Sequence, residues 1–154
     1  MKAVIQRVTS ASVEVDHQMI GQIDEGLLVL IGAAKGDTSV DVDYLVEKIP
    51  NLRIFPDDEG KMNRSLMDMG GQLLLVSQFT LLGDMHRGRR PGFDQAAHPD
   101  QARQLYDSAI AKFREKGVPI QTGQFGANML VSLKNNGPVT FILDSRKGGS
   151  GKID

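Results

Sequence analysis

Leu27-Leu28-Val29-Leu30-Ile31, halted by Gly32, is a continuous apolar run, and it reads as a strand buried on both faces. Just upstream, Ala11, Val13 and Val15 alternate with Ser12, Glu14 and Asp16, the period of a strand with one wet face. Residues 3 to 34 are therefore predicted to be strands. Downstream, Asp37, Thr38 and Ser39 are N-cap candidates for a helix whose apolar positions Val42, Leu45, Val46 and Ile49 share one face, with Pro50 as its stop. A second helix is predicted to start near Pro99, to align Ala102, Leu105, Tyr106, Ala109 and Phe113 along one stripe, and to end at Gly117.

Further strands are expected at Leu52-Arg53-Ile54-Phe55, at Leu73-Leu74-Leu75-Val76 continuing through Phe79, at Met129 to Lys134, and at Val139 to Leu143. Helices are too few, and the early strands too closely spaced, for a doubly wound parallel sheet. The expected fold class is mixed α/β: a strand-rich, curved or barrel-like sheet with two flanking helices. One domain over residues 1–146 is expected. The glycine- and serine-rich stretch from Lys147 to Asp154 resembles a flexible tail in composition.

Composition narrows the function. A chain of 154 residues, 40% hydrophobic and 24% charged, fits one soluble domain, and the absence of cysteine excludes disulfides, thiolate nucleophiles and cysteine-ligated zinc. No apolar run reaches the roughly 18 residues of a membrane span, and Met1-Lys2-Ala3-Val4 leads straight into strand-like sequence, so no secretory signal and a cytoplasmic location are expected. A formal net charge of −1 argues against a protein that coats nucleic acid non-specifically, so any RNA contact must be local. Arg87, Arg89 and Arg90, among glycines and a proline, are one candidate for such a contact; a plain solvated loop is the alternative.

The familiar catalytic sets are missing. His17, His86 and His98 fall in predicted turns, and neither a His-Glu-x-x-His pair nor a Gly-x-Ser-x-Gly elbow is present. Gly123-Gln124-Phe125-Gly126 is too short for a dinucleotide fingerprint, no phosphate-loop triplet exists, and the acidic turn Asp57-Asp58-Glu59 lacks calcium-loop spacing; no cofactor and no metal are expected. Two stretches stand out. Ser77-Gln78-Phe79-Thr80 places two hydroxyls and an amide after four aliphatic residues, at the end of a buried strand, where a strand edge with satisfied hydroxyls is the competing explanation. In Asn135-Asn136-Gly137-Pro138-Val139-Thr140, Asn136-Gly137 alone spells a hairpin turn, yet the proline removes a donor where the returning strand should begin to pair.

With the opening Met1-Lys2-Ala3-Val4-Ile5-Gln6-Arg7-Val8, these two stretches resemble the D-aminoacyl-tRNA deacylase family. The family's Ser-Gln-Phe-Thr motif is matched by Ser77, Gln78, Phe79 and Thr80, and its Asn-x-Gly-Pro-x-Thr motif by Asn135, Gly137, Pro138 and Thr140. Their joint presence and order, roughly 55 residues apart, make the resemblance specific. It implies a homodimer acting on aminoacyl-tRNA, with each site combining the Ser-Gln-Phe-Thr strand of one subunit with a cis Gly137-Pro138 turn of the other. Two carbonyls of that turn would hold the substrate's α-ammonium group, and the rigid turn would exclude L side chains, so that D-amino acids, and glycine with no side chain to exclude, are released.

Two hydrolytic schemes stay open: Thr80 as nucleophile, for which no activating base is recognisable, or water assisted by the ribose hydroxyl of the terminal adenosine, with the N–H groups of Phe79 and Thr80 on the oxyanion. The resemblance favours the second. It also suggests that Phe125 stacks on the adenine, against a plain core role, and that Arg7 buttresses the Gly-Pro turn, against a surface arginine. Two further functions compete: a non-catalytic RNA-binding or dimerisation module, and an esterase for free D-amino acid esters.

Overall fold

Apolar residues in unbroken runs have to be covered on both faces, and the architecture follows from how this chain does so. The computed structural model describes residues 1–148. In chain order the elements are β1 (Lys2–Val15), β2 (Gln18–Ile23), β3 (Gly26–Gly32), α1 (Ser39–Lys48), β4 (Phe55–Pro56), β5 (Met62–Arg64), α2 (Leu66–Met69), β6 (Gln72–Ser77), α3 (Pro99–Glu115), β7 (Ile120–Thr122), β8 (Leu130–Asp144) and α4 (Ser145–Gly148). Two 3-10 turns, Ile49–Asn51 and Phe79–Leu82, complete it. Of the expected tail, Lys147 and Gly148 stand in α4, and residues 149–154 lie outside the described residues.

β1 is the hub of the sheet. One of its edges pairs antiparallel with β3 over Lys2–Val8 and with β2 over Ala11–Val15, and β8 runs antiparallel along nearly the whole of the other edge. β6 lies parallel to β3, and β7 parallel to β6. Parallel neighbours need long crossovers, and α1 and α3 sit within these two. The sheet curls like a barrel wall. Gly21 of β2 approaches β7 so closely that a Cβ there would stand 2.8 Å from the Thr122 carbonyl oxygen.

Alternation divides the buried strands between two cores. Leu27, Val29, Ile31, Leu73 and Leu75 face the helices and meet Val42, Leu45, Val46, Leu105 and Phe113. Leu28, Leu74 and Val76 face the inside of the curl with Val8, Val13 and Ile23. That is the physical meaning of the continuous apolar run in β3: both pleat faces are covered.

The helices form as the sequence predicts. Thr38 caps α1 in a reciprocal capping box with Asp41, and Val42, Leu45 and Val46 are buried. α3 opens on Pro99 and buries Leu105, Tyr106, Ala109 and Phe113.

Two expectations need correction, besides the strand expected from Leu73 through Phe79, which ends at Ser77 because Phe79–Leu82 tighten into the 3-10 turn. Ladder pairing near residue 52 begins only at Phe55: Leu52 and Ile54 point apolar side chains inward, but their N–H groups close tight turns onto Ile49 and Leu52. The second concerns residues 129–143, expected as two strands joined by a turn. Leu130–Asp144 is a single strand, because Ser10 pairs with Lys134, Val8 with Asn135 and Gln6 with Thr140, a register that runs one way throughout. Asn136-Gly137-Pro138-Val139 is therefore a wide bulge opposite Arg7 and not a hairpin.

Candidate active site

The C-terminal end of β6 opens into a cavity of about 770 Å³ lined by Ser77, Gln78, Phe79 and Phe125. The parallel ladder delivers this segment: Ser77 is the last residue in register, opposite Ile31, and the Gln78 N–H donates to the Ile31 carbonyl at 2.7 Å. The chain then tightens into the 3-10 turn. Phe79 and Thr80 are its first two residues, so their N–H groups have no acceptor within the turn. The Gln78 Nε2 amide donates to the Thr80 hydroxyl. Among the described residues this amide is that hydroxyl's only side-chain partner, and an amide cannot take a proton from it.

Apolar and aromatic side chains form the cavity walls. Phe79, 58% exposed, meets Phe93 edge-on with ring centroids 5.0 Å apart. Phe125 packs against the main core, its ring centroid 5.9 Å from that of Tyr106, and it also lines the cavity. The Tyr106 hydroxyl donates to the Leu75 carbonyl at 2.8 Å, and burial, with Asp107 adding to it, pushes its ionisation far above the ordinary tyrosine value. It stays a neutral anchor for the Phe125 wall. Sequence reading placed Tyr106 only on a helix stripe and passed over Phe93; an aromatic within the polar stretch Pro91–Asp94 was the signal available for the latter.

The second motif is built separately. In the bulge the Gly137–Pro138 peptide bond is cis, and Gly137 has φ 139°, a region that L side chains rarely adopt. Arg7 supports the turn from below: its Nε donates to the Asn136 carbonyl at 3.0 Å and its NH1 to the Ile54 carbonyl at 2.8 Å. Arg7 is thus half-buried and occupied, not a free surface charge. Asn135 closes the bulge, its Nδ2 donating to the Arg7 and Val139 carbonyls, each at 2.9 Å. The Thr140 hydroxyl accepts from Gln6 Nε2 at 3.2 Å.

Gly137 and Pro138 are exposed, and neither they, Arg7, Asn135 nor Thr140 lines the cavity. Thr80 stands at its margin, joined to it through Gln78. Within the chain the candidate residues therefore fall into two groups, a cavity with a donor-rich turn and a braced, outward-facing bulge.

Similarity to known proteins extends over the segments that carry both groups. The family model described as D-Tyr-tRNA(Tyr) deacylase matches residues 4–144. A protein of Clostridioides difficile (strain 630) named D-aminoacyl-tRNA deacylase is 58% identical over 147 residues, covering 96% of this chain and 99% of its own. One of the same name from Kosmotoga olearia is 57% identical with the same coverage. A solved structure titled c-Myc DNA Unwinding Element Binding Protein superposes with TM-score 0.89 at 43% identity, over 94% of this chain and 98% of that one. Another, titled as a probable eukaryotic D-amino acid tRNA deacylase, gives TM-score 0.76 at 18% identity over 92% and 97%, which shows a shared fold.

Proposed function

The chain belongs to the D-Tyr-tRNA(Tyr) deacylase family and hydrolyses the ester of D-aminoacyl-tRNA, and from that premise we propose that its active sites form between the two subunits of a homodimer. The observation that carries this reading is the separation of the two groups: Gly137 and Pro138 of the braced bulge are exposed and contribute nothing to the lining of the cavity. Among the described residues β8 pairs only with β1, so its outer edge is open there, and Leu130 and Ile142 on it are 65% and 78% exposed. An open apolar edge strand is a surface that a second copy can bury.

In this arrangement the terminal adenosine enters the cavity, where Phe125 and its neighbours offer faces for stacking. The ester carbonyl lies against the N–H groups of Phe79 and Thr80, which stabilise the oxyanion as it forms. Two carbonyls of the bulge, from Gly137 and Pro138 of the partner subunit, accept hydrogen bonds from the α-ammonium group. With ammonium and ester both fixed, a D side chain points outward and an L side chain collides with the rigid turn. Glycine carries nothing to exclude and is cleaved as well. The ribose hydroxyl of the substrate assists water, since the Thr80 hydroxyl is bonded to an amide and lacks a base.

Hydrolysis of D- and L-tyrosyl-tRNA, with Thr80→Ala and with tRNA ending in 2′-deoxyadenosine, tests the chemistry. Thr80→Ala should keep D-specific activity within about tenfold, while the deoxy substrate should lose roughly 100-fold or more, the usual worth of a positioned proton carrier. The opposite pair of results restores Thr80 as the nucleophile, and no turnover of either tRNA leaves a non-catalytic RNA-binding module. Sharing of sites is tested by mixing two inactive variants, one altered at Gln78 and one at Arg7. Hybrid dimers regain one intact site if the sites are shared, and none if each protomer is self-sufficient.

A further inference from the structure

The excursion between the 3-10 turn and α3 carries the chain's densest positive charge, and the function above does not use it. Arg87, Arg89 and Arg90 lie within four residues of one another in a chain of net charge −1, and all three are exposed. Their loop is no loose end. Asp84 and Gly92 exchange reciprocal backbone hydrogen bonds of 2.8 Å at its neck. Beyond the neck, the Lys35 N–H donates to the Gln95 carbonyl at 2.9 Å and the Ala97 N–H to the Ala33 carbonyl at 3.0 Å.

The nearby acid is already engaged: Asp84 Oδ1 accepts from the His86 N–H at 2.9 Å and lies 2.7 Å from His86 Nδ1. Among the described residues, none of the three arginines makes a hydrogen bond or ion pair. Three guanidinium groups within four residues, with no bonded counter-charge, make a local positive field that a bound anion offsets. Position supplies the identity of the anion. Both arms of the loop are walls of the cavity: Phe79 stands before it, Phe93 and Asp94 after it, and the two phenylalanines touch. This loop borders the cavity, so a strand whose last nucleoside occupies the cavity has a path out beside it, and guanidinium groups suit phosphates at short range.

We infer that Arg87, Arg89 and Arg90 form a phosphate clamp for the acceptor end of the RNA, holding the backbone just upstream of the terminal adenosine. The inference rests on the reading of the cavity as the adenosine site. It assigns the loop to binding alone, so chemistry at saturating substrate does not depend on it.

The test is the affinity of deacylated tRNA, read by fluorescence anisotropy between 50 and 200 mM salt, for wild type and for Arg87→Ala/Arg89→Ala/Arg90→Ala. Each phosphate contact contributes about 0.7 (single strand) to 0.9 (duplex) to the slope of log affinity against log salt, so the wild-type advantage should shrink roughly 20- to 40-fold over that range. The kcat on D-tyrosyl-tRNA should stay within about twofold while KM rises, and a triple lysine variant should recover most of the slope. Parallel salt slopes, or a lost kcat with unchanged affinity, overturn the clamp. Because affinity is measured on uncharged RNA, a wild type that binds with the expected slope but cleaves nothing would count against the deacylase reading and leave the clamp standing.

Discussion

Asp37 offers the sharpest stability test. It is 1% exposed, and its carboxylate takes three donors: the Met1 ammonium at 2.7 Å, the Ala34 N–H at 2.6 Å and Arg146 Nε at 3.0 Å. One carboxylate thereby ties the start of β1, the end of β3 and the α4 segment to the entry of α1. Asp37→Asn keeps the shape but must turn an amide N–H toward a cation or another donor, leaving a buried ammonium with Ser145 Oγ at 2.6 Å and Asp41 at 3.9 Å. Removing one partner of a buried ion pair costs about 3–5 kcal/mol, and the half-exposed Arg146 together with the surviving Ser145 contact places this case near 3. At roughly 2–4 °C per kcal/mol for a domain of this size, Tm should fall by about 6–12 °C.

Thermal and urea unfolding at one fixed protein concentration reads this, since dimer formation would make Tm depend on concentration. Asp43→Asn is the control: it removes an ion pair to Lys112 whose acid is 60% exposed, a change of roughly 0–1 kcal/mol. If the two variants shift Tm equally, the buried network does not carry the stability assigned to it. Met1 also lines the cavity, so Asp37→Asn should raise KM for D-aminoacyl-tRNA alongside the loss in Tm.

Two further outcomes follow from the same geometry. At Gly137 an added Cβ would stand 2.6 Å from Val139 Cγ2, 3.0 Å from the Val139 nitrogen and 3.3 Å from Arg7, at a φ of 139°. Gly137→Ala should therefore shift the bulge, costing about 1–3 kcal/mol and roughly 100-fold in kcat/KM on D-tyrosyl-tRNA; full activity in a steady-state assay would refute its placement in the site. Asp41 is a case for pH. Burial alone would raise its pKa, but the Ser145 hydroxyl, the Thr38 N–H, the Met1 ammonium and Arg146 outweigh burial and hold it below the ordinary 3.8. Its folded pKa lies below the unfolded one, so its contribution is complete above 3.8 and fades as pH drops through the folded value. The gap in urea midpoint between wild type and Asp41→Asn should accordingly be constant from neutral pH to about 5 and narrow only under strong acid.

How much of this the sequence could show depends on how far apart the cooperating residues lie. α1 and α3 were readable because a helical stripe and its caps are local, as Thr38 with Asp41 and Pro99 with its following turns demonstrate. The run at 27–31 announced double burial, but not that β6 would be its parallel neighbour, since nothing local encodes a partner more than 40 residues away. Asn136-Gly137 gave a hairpin signal that the fold overrides: both flanks pair with the same strand, β1, and only that distant strand turns the segment into a bulge. The network of Met1, Asp37 and Arg146 was invisible for the same reason, Asp37 and Arg146 lying 109 residues apart. Phe93 and Tyr106 were missed as cavity walls because a loop aromatic and a helix-stripe tyrosine look the same wherever they point.

The site was hard to derive from side chains for a further reason. In the proposed mechanism the groups that touch the reacting atoms are mostly main chain: N–H groups at Phe79 and Thr80, and carbonyls of a turn whose two named residues, glycine and proline, carry no functional group at all. Histidines, paired carboxylates and cysteines are therefore not the groups that would mark such a site. The side chains that matter act on backbone: Arg7 bonds the Asn136 carbonyl, Asn135 bonds the Arg7 and Val139 carbonyls, and Tyr106 bonds the Leu75 carbonyl behind Phe125. Rigid main-chain acceptors suit chiral exclusion, because a flexible side chain in their place could swing aside and admit the L substrate. Arg7→Lys should then be more damaging than its conserved charge suggests: an ammonium cannot span the Asn136 and Ile54 carbonyls as the guanidinium does at 3.0 and 2.8 Å, so the bulge loosens. The expected signature is a fall in the ratio of D- to L-tyrosyl-tRNA hydrolysis, driven by a gain on the L substrate; an unchanged ratio would place chiral exclusion elsewhere than in the braced turn.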